Sequence, residues 1–190
     1  MTKMSGSRRA WLSRGLAVAA AVAVWGIAGT AYAQDVSRLN ADAQRALDKL
    51  IASIPAAKAL NDKAEAVLVF PRITKVGLVF GGQYGEGVLF RGGKPAGYFA
   101  NMGASWGLQA GVQQYGYAMF FMNERALGAL TSTAGFEIGV GPSVVVVDQG
   151  MAKLMTTMNL DSDIYAFVFS QRGLMAGVGL RGNRIVAVSR

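Results

Sequence analysis

The sequence predicts an α+β domain in which N-terminal helices pack on a strongly curled, mostly antiparallel, glycine-rich β-sheet, sandwich- or barrel-like in form. Three observations carry this. Apolar residues recur at three- and four-residue steps early in the chain, the mark of an amphipathic helix. From Ala66 onward the texture becomes short β-rich runs. Several of those runs carry glycine on every second residue, and repeated strand glycine marks bulges, close backbone approach or tight curvature.

The chain has 190 residues. Its first 33 read as a cleaved export signal: Arg8, Arg9 and Arg14 form a basic front, Leu16 to Ala28 is uncharged and apolar, and Ala31-Tyr32-Ala33 is a small-x-small cleavage pattern. The apolar run is shorter than the roughly 20 residues a membrane helix needs. Ser7-Arg8-Arg9-Ala10-Trp11-Leu12-Ser13 also resembles the twin-arginine export consensus, so a folded-protein route and the ordinary secretory route both fit. Residues 34–190 then form one domain, helical over 35–65 and β-rich over 66–190, located in the periplasm or at the envelope.

The first helix carries Val36, Leu39, Ala43, Leu47, Leu50, Ile51 and Ile54 on one stripe, with Arg38, Asp42, Arg45, Asp48 and Lys49 opposite. Pro55 suits the first turn of a second, shorter helix reaching about Glu65. Ala66–Phe70 is a strand ending at Pro71, and Val76–Phe90 a glycine-broken strand pair followed by a turn at Arg91-Gly92-Gly93-Lys94. Tyr98–Phe121 supplies two more strands, and Asn123 caps a short helix through Leu130. Phe136–Val147 and Ile164–Ser170 are strands, the latter apolar on both faces. Leu174–Leu180 and Ile185–Val188 close the chain as a hairpin through Arg181-Gly182-Asn183-Arg184. Met102, Ala104, Trp106, Leu108, Ala110 and Val112 alternate with a glycine- and polar-bearing set. Past Gln113 the large residues move to Tyr115, Tyr117, Met119 and Phe121, which predicts a bulge or break near Gln114.

Composition narrows the chemistry. The chain contains neither histidine nor cysteine, which removes disulfides, a lipid-modified cysteine and the usual transition-metal ligands. Gly103-Ala104-Ser105-Trp106-Gly107 matches a nucleophile elbow, yet it has no histidine base and lies inside a strand. Asp161-Ser162-Asp163 lacks the spacing of a calcium loop and reads as a capping or solvated loop. Gly81-Gly82-Gln83-Tyr84-Gly85-Glu86-Gly87 lacks the Lys-Ser/Thr ending of a phosphate loop. Aromatic residues do not interleave with basic ones as on a nucleic-acid platform. No catalysis, cofactor, metal or nucleic acid is expected.

Charge placement is what remains. The chain carries 19 basic and 11 acidic residues, and the signal holds four of the basic ones, so the domain stands at +4. Residues 35–65 are neutral, with five of each sign, and the β part holds the whole excess. Much of it is placed in predicted turns: Arg72, Lys75, Arg91, Lys94, Arg181 and Arg184. These six are the candidate binding residues for an anionic surface, each worth about 1 kcal/mol near acidic lipid. Solvation and edge protection would place charge in turns equally well.

Ala66-Val67-Leu68-Val69-Phe70-Pro71 with Lys75, Gly81-Gly82 and Gly85-Glu86-Gly87-Val88-Leu89 resembles the opening of the SYLF domain family. Ser105-Trp106-Gly107-Leu108-Gln109-Ala110-Gly111 is similar to its central signature, and Gly173 through Gly182 to its closing segment. The resemblance spans about residues 45–188 and implies a non-catalytic lipid-binding module. Eukaryotic members bind phosphoinositides and some bind actin. An export signal argues against both partners here and favours an anionic phospholipid or membrane surface. A small outer-membrane β-barrel and a structural envelope protein that binds another protein are the alternatives.

Overall fold

The structure is a computed structural model that describes residues 35–77, 80–106, 111–132, 135–138, 140–147, 161–173 and 183–190; Phe80, Ser105, Trp106 and Gly173 are described by backbone alone. The export segment expected at 1–33, the strand expected at 174–180 and Arg181 lie outside the described residues. Leu39–Arg190 forms one compact unit, which carries the whole sheet.

Helix α1 (35–53) is followed by α2 (Pro55–Asn61), with Pro55 in the first turn where its missing N–H costs nothing. Eight strands come next among the described residues: β1 (Ala66–Gly77), β2 (Phe80–Arg91), β3 (Lys94–Trp106), β4 (Gly111–Phe121), β5 (Phe136–Glu137), β6 (Val144–Val147), β7 (Ile164–Gly173) and β8 (Arg184–Val188). Helix α3 (Glu124–Leu130) interrupts them after β4. The Asn123 side chain accepts the Ala126 N–H at 2.9 Å, the predicted cap. The strands form one sheet in the order β5-β8-β3-β2-β1-β4-β7-β6, antiparallel throughout except for the parallel β6–β7 pair.

Chain connectivity forces this sheet to curl. Strand β5 lies on one edge and β6 on the other, yet only residues 138–143 join them. Eight flat strands would set those edges roughly 34 Å apart, whereas a strap of that length reaches at most about 25 Å. The hydrogen bond from Val140 N–H to Glu137 C=O shortens the reach further. The edges must therefore bend towards each other, and Phe136 of β5 meets Phe121 of β4 across the concave side, ring centroids 6.4 Å apart.

The two faces bury separate cores. The concave face gathers Leu68, Phe70, Ile73, Phe99, Tyr115, Tyr117, Met119, Phe121, Ile164 and Ile185 with Ala126, Leu127 and Leu130 of α3. On the convex face Val67, Val69, Val88, Phe90, Ala118, Phe120, Tyr165 and Phe167 lie under Ala43, Leu47 and Leu50 of α1 and Ala56, Ala57 and Leu60 of α2. Strand β7 feeds both cores, as its two apolar faces predict. Helices covering this half of the outer face give an α+β domain; an outer-membrane barrel would turn that face to lipid.

Two expectations about the strands are corrected. β1 does not stop at Pro71 but continues to Gly77, because the register shifts between Val69 and Arg72, and a bulged proline has no ladder bond to lose. β2 lies close against this bulge: a Cβ on Gly87 would stand 2.7 Å from both the Val69 carbonyl oxygen and Phe70 Cδ1. Phe136–Val147 is two short strands, parted where Gly141 takes φ +97°. The bulge expected near Gln114 is present as a register shift between Gln114 and Gly116; its extra residue belongs to the partner β7, where Ser170 adopts φ +53°, and β4 itself runs unbroken. The phase of large residues changes at this point because the buried side does: odd positions of β4 fill the concave core, even ones face out. β8 pairs with β3 and β5 among the described strands, and the hairpin partner expected for it at 174–180 lies outside the described residues.

Candidate functional site

Of the six predicted basic residues, the five that the structure describes do not form a single cluster. Arg91 and Lys94 flank the β2–β3 turn, which Gly92 and Gly93 make possible with φ +56° and +73°. Arg91 is paired with Glu124 of α3, and Lys94 is exposed. Arg72 and Lys75 belong to β1 itself rather than to a turn, since β1 runs past Pro71. They also point to opposite faces, Arg72 outward beside the bulge and Lys75 inward. Arg184 opens β8, exposed and opposite Met102. Arg181 lies outside the described residues.

A different grouping emerges from the register. Arg184, Met102, Tyr84, Thr74, Gln114 and Arg172 stand opposite one another across β8, β3, β2, β1, β4 and β7. The next outward-facing row holds Ala104, Gly82, Val76 and Val112. Both rows are on the convex face, beyond the half covered by α1 and α2. Tyr84, Val112, Val76 and Met102 are 51, 55, 48 and 42 % exposed, in a strip with arginine at both ends. A sequence signal existed in the apolar alternation through Met102, Ala104 and Val112. Which side of the sheet the helices leave uncovered was not readable from it.

Between residues 39–46 of α1 and this strip is a cleft of about 400 Å³ lined by Leu39, Asp42, Ala46, Pro71, Arg72, Thr74, Tyr84, Gly85 and Glu86. Glu86 accepts hydrogen bonds from the Tyr84 hydroxyl, at 2.8 Å, and from the Arg190 guanidinium. Asp42 is paired with Arg45.

On the concave face the same end of the sheet is polar. Tyr115 O–H donates to Gln83 Oε1 (3.1 Å), Gln83 Nε2 to Asn101 Oδ1 (3.0 Å), and Asn101 Nδ2 to the Tyr117 hydroxyl (2.6 Å). Burial pushes the Tyr115 hydroxyl up to about 12 and that of Tyr117 well above its usual value. This chain of hydrogen bonds ties strands β2, β3 and β4 together.

Asp163 takes the capping role read for its loop. It accepts from Asn123 Nδ2 (2.9 Å), Arg125 (2.6 Å), and the Ser143 N–H (3.0 Å) and hydroxyl (3.1 Å). The Asn123 amide first, then the Ser143 N–H and Arg125, hold its carboxyl far below the usual carboxylate range. Donors occupy both oxygens, and no group of three metal-ligating side chains occurs among the described residues. The backbone of Ser105 is mid-strand in β3, without the strand-to-helix turn of a nucleophile elbow. No helix of the described residues is long and apolar enough to cross a membrane.

Comparison with known proteins agrees with the resemblance read from the motifs. The sequence model of a family described as "Ysc84: Las17-binding protein actin regulator" matches residues 102–189, from the middle of β3 to the end of β8. No curated protein matches the chain.

Proposed function

Starting from a chain whose residues 102–189 belong to the Ysc84 (SYLF) family, we propose that it is a non-catalytic binding domain that docks on anionic phospholipid surfaces of the bacterial envelope. The observation that carries this reading is the half-exposed strip of Val76, Tyr84, Met102 and Val112 with Arg184 and Arg172 at its ends and Arg72 beside it. Basic residues alone give only weak attraction, about 1 kcal/mol each. Burying four half-exposed apolar side chains adds roughly 1 kcal/mol apiece. Together they reach about 7 kcal/mol, a dissociation constant on the order of 10 µM before ordering costs. Apolar contact and cations on one face suit a bilayer surface, where acyl chains and phosphates are adjacent.

Residues 1–33 read as an export signal and would separate the domain from actin, which the family description names. The membrane is accordingly the partner proposed. Flotation with vesicles of phosphatidylglycerol and phosphatidylcholine (1:3), compared with phosphatidylcholine alone, tests it. The anionic vesicles should carry the protein, and raised salt should release part of it. Equal recovery with both vesicle types at every salt concentration refutes the reading.

A further inference from the structure

The cleft beside α1 has an unusual charge arrangement. Two carboxylates line it, and each is engaged by an arginine outside the lining: Asp42 by Arg45, Glu86 by Arg190. The one cation that lines it, Arg72, makes no ion pair among the described residues. Its register partner on β2 is Glu86, and opposite charges placed directly across two strands ordinarily pair. Arg190, reaching in from beyond the end of β8, takes that carboxylate instead, helped by the Tyr84 hydroxyl. A cation is thus left without its natural counter-ion at the wall of an open cleft.

We propose that this cleft seats the phosphate group of a phosphate ester, held by Arg72, and that the Arg190–Glu86 pair keeps Arg72 available for it. The guanidinium presents a planar fork that matches phosphate oxygens. Thr74 stands alongside; its oxygen accepts from Gln114 Nε2, which leaves the hydroxyl proton to donate. The remaining wall is apolar, formed by Leu39, Ala46, Pro71 and the Tyr84 ring, and fits an ester with an apolar substituent better than bare phosphate. The cleft shares Tyr84 with the exposed strip, so a lipid in a bilayer could present its phosphate here while its apolar part meets the strip. A soluble phosphate ester offers the same chemistry. The choice of a lipid as source rests on the membrane reading; the cleft itself does not.

Titration of the purified protein with phenyl phosphate and with inorganic phosphate, followed by amide NMR shifts, is the test, with vesicle flotation alongside. Arg72→Gln should weaken phenyl phosphate binding at least tenfold. Arg190→Gln should do the same without touching the ligand, because the released Glu86 turns to Arg72. Glu86→Gln should bind at least as tightly as the parent, and the double variant E86Q/R190Q should return to within about twofold of it. A residue that merely supported the fold would not be rescued by removing its partner. Unchanged binding in R72Q or R190Q, or a folded double variant that stays weak, overturns the proposal. Should anionic vesicles float the protein while phenyl phosphate fails to bind, the cleft proposal falls and the membrane reading stands. Should phenyl phosphate bind through Arg72 while vesicles do not float the protein, the cleft stands and the membrane reading falls.

Discussion

Replacing Val76 and Val112 with serine tests the exposed strip without touching any charge. The two valines face each other across β1 and β4, and each exposes about half of its surface, 48 and 55 %. A fully buried valine contributes roughly 1.5–3 kcal/mol relative to an exposed one. The half still available to a bilayer is then worth about 1 kcal/mol per residue. The double variant should lose about 2 kcal/mol of membrane affinity, roughly thirtyfold in the vesicle partition constant. Folding should suffer less, about 1 kcal/mol at most, because these side chains lie outside both cores. Quantitative flotation over a series of lipid concentrations measures the first quantity, and urea unfolding the second. Val146→Ser is the control: Val146 is 42 % exposed but belongs to β6 at the far edge of the sheet, so its loss should leave partition unchanged. If V76S/V112S partitions like the parent, or V146S weakens binding equally, the strip is not the contact surface.

Three more outcomes rest on the geometry and one on the sequence. Gly87→Ala should destabilise the domain by about 1–3 kcal/mol in urea unfolding, since the new methyl group meets both the Val69 carbonyl oxygen and the buried Phe70 ring. Asn123→Ala removes the α3 cap and a donor to Asp163, and should cost about 1–2 kcal/mol by the same measurement. Tyr115 has a folded value raised above its unfolded one, so its contribution to stability is complete below about pH 10 and is lost as pH rises towards 12; unfolding across that window should show stability falling steeply, and less so in Tyr115→Phe. Changing Arg8 and Arg9 together to lysine should block maturation if the twin-arginine route is used, and normal processing would leave the ordinary secretory route.

Local features were legible in the sequence because they depend on few residues. The stripe through Ala43, Leu47 and Leu50, the proline opening α2 and the Asn123 cap are fixed by chemistry within one or two turns. The two apolar faces of β7 were equally direct. The extension of β1 through Pro71 was not, because proline in a strand reads as a stop until the neighbouring strand supplies a bulge and a glycine to receive it. The candidate site was legible in kind more than in place. Excess positive charge in the β part is real, but whether a lysine lies in a turn or inside a strand depends on where strands end. Arg72 stands out by its charge, while its significance depends on Arg190 drawing Glu86 away across more than a hundred residues of sequence. No local pattern encodes such a pairing.

The short strap between β5 and β6 has a further meaning for a chain that contains no cysteine. Some domains of this size hold their shape with disulfide cross-links, and here the backbone itself takes that duty. By joining the two outermost strands it behaves like the clasp of a bracelet: neither edge can peel away without pulling on the other. Its anchorages differ. One end is fastened by the Phe136–Ile185 and Glu137–Arg184 pairs, the other by Ser143 held against Asp163 and by four valines laid along β7. The first anchorage depends on β8, distant in sequence, and the second on β7, the next strand along the chain. Closure couples the sheet margins, and a domain without disulfides gains resistance to fraying where open sheets are weakest.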